Sequence, residues 1–153
     1  MTCDVRGNHL TLAGAIDEHA QLVRRLDHAK DQRLVLDLGG VTFINSLGIR
    51  EWIRMQQAAE GAKIRIELLR VAEPIVHQLN IMPAARGVSI VTSFYAPYEC
   101  DNCDSEHLML LDVRTHGADL AKQVAPAMKC PDCGHAMDFA DPPDLYFMFL
   151  AGS

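Results

Sequence analysis

The chain has 153 residues, 49% hydrophobic and 22% charged, with a formal net charge of −6. That length fits one or two domains of ordinary globular composition. The longest late apolar run, Leu145-Tyr-Phe-Met-Phe-Leu-Ala151, falls far short of the ~20 residues that span a bilayer, and the start, Met-Thr-Cys-Asp-Val-Arg, lacks a basic-then-apolar signal pattern. No membrane insertion and a cytoplasmic location are therefore expected.

Val5, then Leu10 and Leu12, alternate around Gly7-Asn8, which predicts a hairpin. Gly14-Ala-Ile16-Asp17 ends the second strand. Asp17 is a candidate N-cap for a helix with apolar positions at Ala20, Leu22, Val23, Leu26 and Ala29. Leu34-Val-Leu-Asp-Leu38 is nearly continuous in apolar residues, as a strand buried on both faces would be. Gly39-Gly40 is expected to break it. A second helix is expected to start at Ser46, to bury Ile49, Trp52 and Ile53, and to end at Gly61. Ile64, Ile66 and Leu68 alternate as a strand. Pro74 suits the first turn of a third helix carrying Ile75, Val76 and Leu79. Val88 to Thr92 reads as the last strand of this part, and Ser93 to Pro97 as a linker. The order ββαβαβαβ gives an α/β layer, helices on a mixed sheet.

This stretch resembles the STAS family, the sulfate-transporter and anti-sigma-factor-antagonist domain. The resemblance rests on Gly14-Ala-Ile16-Asp17, Leu34-Val-Leu-Asp37-Leu38 and Val41-Thr-Phe-Ile-Asn45-Ser46-Leu47-Gly48-Ile49. Gly61, Ile64-Arg-Ile66 and Val71-Ala-Glu-Pro-Ile-Val76 continue it, over residues 1–95. Its most specific element is the loop Ile44-Asn45-Ser46-Leu47-Gly48. In the antagonist branch the resemblance implies a serine, here Ser46, phosphorylated by a partner that is both anti-sigma factor and serine kinase. Unmodified, such a domain binds the partner; phosphorylated, it lets go. Arg50 lies one turn on and can pair with a phosphate at the helix start. Two positions depart from the pattern: Asn45 stands where an acidic residue is usual, and Leu47 where a small one is. Another branch of the family, a small subunit clamping a lipid-transport ATPase, carries no such switch.

The remaining residues, 96–153, are read as a second module. Cys100-Asp-Asn-Cys103 is followed after 26 residues by Cys130-Pro-Asp-Cys133-Gly134-His135. Two such knuckles are a strong metal signal, because four thiolates close a tetrahedron around Zn2+. A structural zinc on Cys100, Cys103, Cys130 and Cys133 is expected, and the same ligand set also suits iron. His107, His116 and His135 are then surface or outer-shell residues, and Cys3 a free thiol. His107 to Val113 reads as a strand, Thr115 to Ala127 as a loop, and Met137–Phe139 and Leu145–Leu150 as strands flanking the turn Asp141-Pro-Pro-Asp144. The expected fold class is thus α/β: a STAS-type mixed sheet with helices packed on it, plus a small β zinc ribbon. Apolar on both faces, 145–150 would cover the ribbon with one face and the first domain or a homodimer partner with the other.

No catalytic constellation or phosphate-binding glycine loop stands out, so a non-enzymatic regulatory module of the antagonist type is expected. The alternatives are an unswitched scaffold subunit of a transporter ATPase or signalling complex, and a metal or redox sensor. Residues 1–97 hold 11 Lys+Arg against 10 Asp+Glu, a net of +1, whereas 98–153 hold 3 against 10, a net of −7. Nucleic-acid affinity comes from neutralising phosphates with Lys and Arg, so a module this acidic is a poor reader of DNA or RNA, and no nucleic-acid partner is expected. Binding to random-sequence duplex DNA at ~150 mM salt should be negligible by fluorescence anisotropy; a sub-micromolar, salt-sensitive complex would refute that reading.

Overall fold

A computed structural model describes residues 1–151. In chain order it places β1 (Thr2–Arg6), β2 (His9–Ile16), α1 (Leu22–Arg25), β3 (Arg33–Ile44), α2 (Ser46–Ala62), β4 (Arg65–Leu69), α3 (Glu73–Ile81), α4 (Pro83–Arg86) and β5 (Ser89–Val91). Then follow β6 (Ser93–Cys100), β7 (Ser105–Asp112), α5 (Gly117–Ala121), β8 (Asp138–Phe139) and α6 (Pro143–Tyr146). The architecture is mixed α/β. One sheet has the order β1-β2-β3-β4-β5, with β1 antiparallel to β2 and the other neighbours parallel. A second, antiparallel sheet has the order β7-β6-β8. Among the described residues no helix is long and apolar enough to cross a membrane.

Strand order follows chain order in the first sheet, so each right-handed crossover puts its helix on the same face. Leu10, Leu12, Leu34, Leu36, Leu38, Ile66 and Leu68 alternate onto that face and are buried. They meet Trp52, Met55 and Ala59 of α2 and Ile75, Val76 and Leu79 of α3 in one core. Two buried polar anchors fix the middle of α2. Trp52 Nε1 donates to the Ala85 carbonyl, and Gln56 both donates to Ser89 Oγ and accepts from the Val88 N–H.

Several expected elements take a different form. Gly39-Gly40 does not break β3, which runs for 12 residues. The glycines serve close approach instead: a Cβ on Gly39 would lie 2.8 Å from the Arg70 guanidinium, and one on Gly40 2.8 Å from the Ala13 Cβ. The first helix shrinks to one turn, extended by a 3-10 turn at Leu26–His28. Asp17 is not its cap; its carboxylate accepts from the His19 N–H, and the chain enters at Gln21 with φ 50°. Helix α2 runs past Gly61 to Ala62 and closes on Lys63 in the left-handed region.

The expected linker Ser93–Pro97 is the first half of β6. Val71, just after β4, bridges to Phe94, so the chain passes from one sheet directly into the other. The expected loop Thr115–Ala127 contains α5. The expected strand Leu145–Leu150 is instead α6 followed by a 3-10 turn at Met148–Leu150. Pro143 at the helix start favours the turn, and the helical spacing puts Tyr146, Phe147 and Phe149 together onto the core. Leu145 and Met148 stay exposed.

Gly48 shows how tightly α2 is set on the sheet: a Cβ there would collide with the Ile16 carbonyl oxygen. Gly48→Ala should therefore cost about 3 kcal/mol. Gly61→Ala has open space and should stabilise by about 0.5–1 kcal/mol through helix propensity. Urea denaturation of both variants checks the pair; equal midpoints would contradict the packing.

Candidate functional site

β6 carries Phe94, Ala96, Tyr98 and Cys100 on its buried side, by the two-residue period of a strand. Its hairpin to β7 pairs Cys100 with Ser105, and Asp104 turns the chain at φ 54°. That tight turn delivers Cys103 beside Cys100. The second knuckle is a matching hairpin. Lys129 bridges Ala136, the Cys130 N–H donates to the His135 carbonyl at 2.8 Å, and the Gly134 N–H donates to the Cys130 carbonyl at 2.9 Å. Gly134 sits at φ 80° with no atom near a would-be Cβ, so the backbone conformation alone demands glycine there.

The two knuckles face each other. All four Sγ atoms lie within 4.8 Å of one another. Cys100 and Cys133 are 3.5 Å apart, as are Cys103 and Cys130. A tetrahedron with ~2.3 Å metal–sulfur bonds has edges of ~3.8 Å, so the spacing suits a single ion at the centre. A disulfide would need ~2.05 Å, and all four thiols are free. The residues present therefore fit a tetrahedral metal ion.

Protonation follows the same logic. Burial works to raise the Cys130 thiol but is outweighed by the backbone N–H groups of Cys133 and Asp132 and by Ser105, which hold it down at about 5. The backbone N–H of His135, then the side chain of Asn102, lowers Cys133 to about 7. The Ser105 hydrogen bond pulls Cys103 down, but burial and the three other sulfurs push it well up. Four sulfurs this close cannot all ionise unless a cation sits among them.

Two neighbours extend the centre. Ser105 Oγ lies 2.9 Å from Cys103 Sγ and 3.0 Å from His107 Nε2. His107 Nε2 is 3.7 Å from Cys130 Sγ and 3.3 Å from the Asp132 carboxylate. His107, Cys130 and Asp132 thus also form a group close enough to share one ion, and the side chain of His135 reaches Cys133. Ser105 and Asp132 went unsingled in the sequence, although both lie within two residues of a cysteine. Among the described residues His116 belongs to none of the metal-competent clusters.

The other expected site lies at the start of α2. Asn45, not Ser46, is the N-cap: its side-chain oxygen accepts from the Gly48 N–H at 2.8 Å. Ser46 is exposed and its hydroxyl has no hydrogen-bond partner among the described residues. Leu47, Arg50 and, just before the helix, Phe43 are exposed as well.

Comparison with known protein families, with characterised proteins and with solved structures finds no match.

Metal removal supplies the test of this centre. The cysteine cluster is continuous with the core that holds α3. Chelation should therefore lower the unfolding midpoint seen by Trp52 fluorescence as well as by thiol exposure. A Trp52 transition indifferent to the chelator would show that the two halves unfold independently.

Proposed function

We propose that this protein is a non-enzymatic regulatory protein-interaction module of the STAS, anti-sigma-factor-antagonist type, with a structural Zn2+ in a ribbon-like C-terminal module. Cys100, Cys103, Cys130 and Cys133 would hold the ion. Bound there it supplies a closed tetrahedral crosslink with no open position. Ser105 and the backbone N–H groups around Cys130 and Cys133 orient and neutralise the thiolates.

The observation that carries the interaction reading is the exposed start of α2. Capping falls to Asn45 and close packing to Gly48, so neither task occupies Ser46. Phe43 and Leu47, three residues before and one after the serine, are 57% and 42% exposed, and Arg50 adds a positive charge one turn on. The N–H groups of Ser46 and Leu47 have no partner among the described residues. A phosphate on Ser46 would meet those donors and the positive end of the helix. It would also bring about −1.5 to −2 charges to a surface that had offered apolar contact. The partner in this reading is a protein, an anti-sigma factor and serine kinase or a related regulator.

Ser46→Ala and Ser46→Glu separate the switch from an unswitched scaffold. Alanine should change stability by less than about 0.5 kcal/mol, since the serine is not the cap. Glutamate should stabilise by about 0.3–1 kcal/mol through the helix dipole. Binding should invert that order: alanine keeps the partner purified with the parent protein, and glutamate weakens it. Mass spectrometry of protein from its source cells should find phosphate on Ser46. Equal binding by both variants and an unmodified Ser46 would favour the scaffold.

A further inference from the structure

Glu73 and His77 stand one turn apart on α3, so their side chains share a face of the helix. The loop between β8 and α6 brings Asp141 against that face. A carboxylate oxygen from each acid and an imidazole nitrogen then all lie within 4.8 Å of one another. Glu73 and Asp141 are half-buried, and neither has an ion pair or hydrogen bond among the described residues.

Glu73 alone has an ordinary explanation, since a carboxylate suits a helix N-terminus. His77 alone could be a surface ring packed edge-on to Tyr146, with centroids 6.1 Å apart. Asp141 has no such explanation. It stands beside a second carboxylate and a histidine ring, with no cation paired to either acid among the described residues. Their charge is felt nearby: burial first, and then Glu73 and Asp141, push the Tyr146 phenol up.

We propose that Glu73, His77 and Asp141 bind a divalent transition-metal ion, in a second site separate from the four cysteines, and that the ion clasps α3 to the C-terminal segment. One nitrogen and two oxygens suit Zn2+ or Co2+, whereas Ca2+ asks for six to eight oxygens. The exposed His77 ring and the loop carrying Asp141 can close the last distance to ~2.0–2.2 Å metal bonds. Three protein ligands leave coordination positions open, as in sites that accept water or an added ligand. A cavity of about 180 Å3, lined by His77, Asp141, Leu145 and Tyr146 among others, adjoins them. Because α3 and the segment after β8 contribute ligands jointly, occupancy would tighten the contact between them.

The full chain tests this. It is first given one equivalent of Zn2+ and desalted, then titrated with Zn2+ by calorimetry and with Co2+ by visible absorbance. A second, weaker equivalent is expected, and it should raise the thermal midpoint. His77→Ala and Asp141→Asn should each weaken that step about tenfold or more and abolish the rise, leaving the first equivalent in place. A His116→Ala variant, which lies in none of these clusters among the described residues, should change neither. No second equivalent, or a second step untouched by both His77→Ala and Asp141→Asn, overturns the proposal. Failure of the cysteine site would instead appear as loss of the first equivalent, with the step that depends on His77 still present.

Discussion

Phe94 is where two sheets become one protein. It is fully buried at the second position of β6, and Val71, just after β4 of the mixed sheet, bridges to it. Tyr146, Phe147 and Phe149 close over it with centroids at 6.4, 5.9 and 5.1 Å. Burying such a ring is worth about 1.5–3 kcal/mol, and each edge contact about 0.5–1.5 kcal/mol more. Helix α3 completes the joint through Asn80, whose side chain donates to the Tyr146 carbonyl and accepts from the Phe149 N–H. A small module built around four cysteines has little core of its own. Here it shares the core of its neighbour.

The same stripe reaches the cysteines. Phe94, Ala96, Tyr98 and Cys100 are successive inward residues of one strand. Tyr98 packs edge-on to Phe139 at 5.1 Å, and Phe139 lies 5.1 Å from Phe147. The Tyr98 hydroxyl donates to the Pro126 carbonyl at 2.7 Å, which ties down the segment that leads to Cys130. The cysteine cluster is thus one end of a continuous aromatic column whose other end rests on α3. The candidate clasp at Glu73, His77 and Asp141 lies beside the same column, next to Tyr146.

Features set by local spacing were legible in the sequence. The two-residue gaps of the knuckles announced the cysteine cluster, because a tight turn can aim two sulfurs at one point. The periods of β3, α2 and α3 announced a mixed α/β layer. Features set by distant neighbours were not legible. Gly39-Gly40 looks like a strand break until Arg70 and Ala13 are seen lying over it. Leu145–Leu150 reads as a strand because its composition is aromatic, yet only a helical turn puts Tyr146, Phe147 and Phe149 on one side. Asp141 sits 68 residues from Glu73, and no local pattern predicts that they meet. At α2 the sequence placed the helix start at Ser46, and only the side-chain hydrogen bond to the Gly48 N–H shows that Asn45 is the cap.

That distinction bears on what the helix start is for. Folding constrains Asn45 through its bond to the Gly48 N–H, and Gly48 through the Ile16 carbonyl beneath it. It places no comparable demand on Ser46, Leu47 or Arg50, which point to solvent. Phe43 on the last stretch of β3 is equally free of packing duties and is more exposed than a large ring ordinarily is. An exposed position at a helix start can be filled by many polar residues at little cost, but exposed apolar residues close to it in the chain gain nothing from water. The arrangement makes sense where a second protein covers the apolar rim and a charge added at its centre can release it. Under the proposed function, Asn45 in place of a carboxylate separates the two tasks: it holds the helix start rigid without a negative charge beside the serine, so the surface changes sign only if Ser46 does.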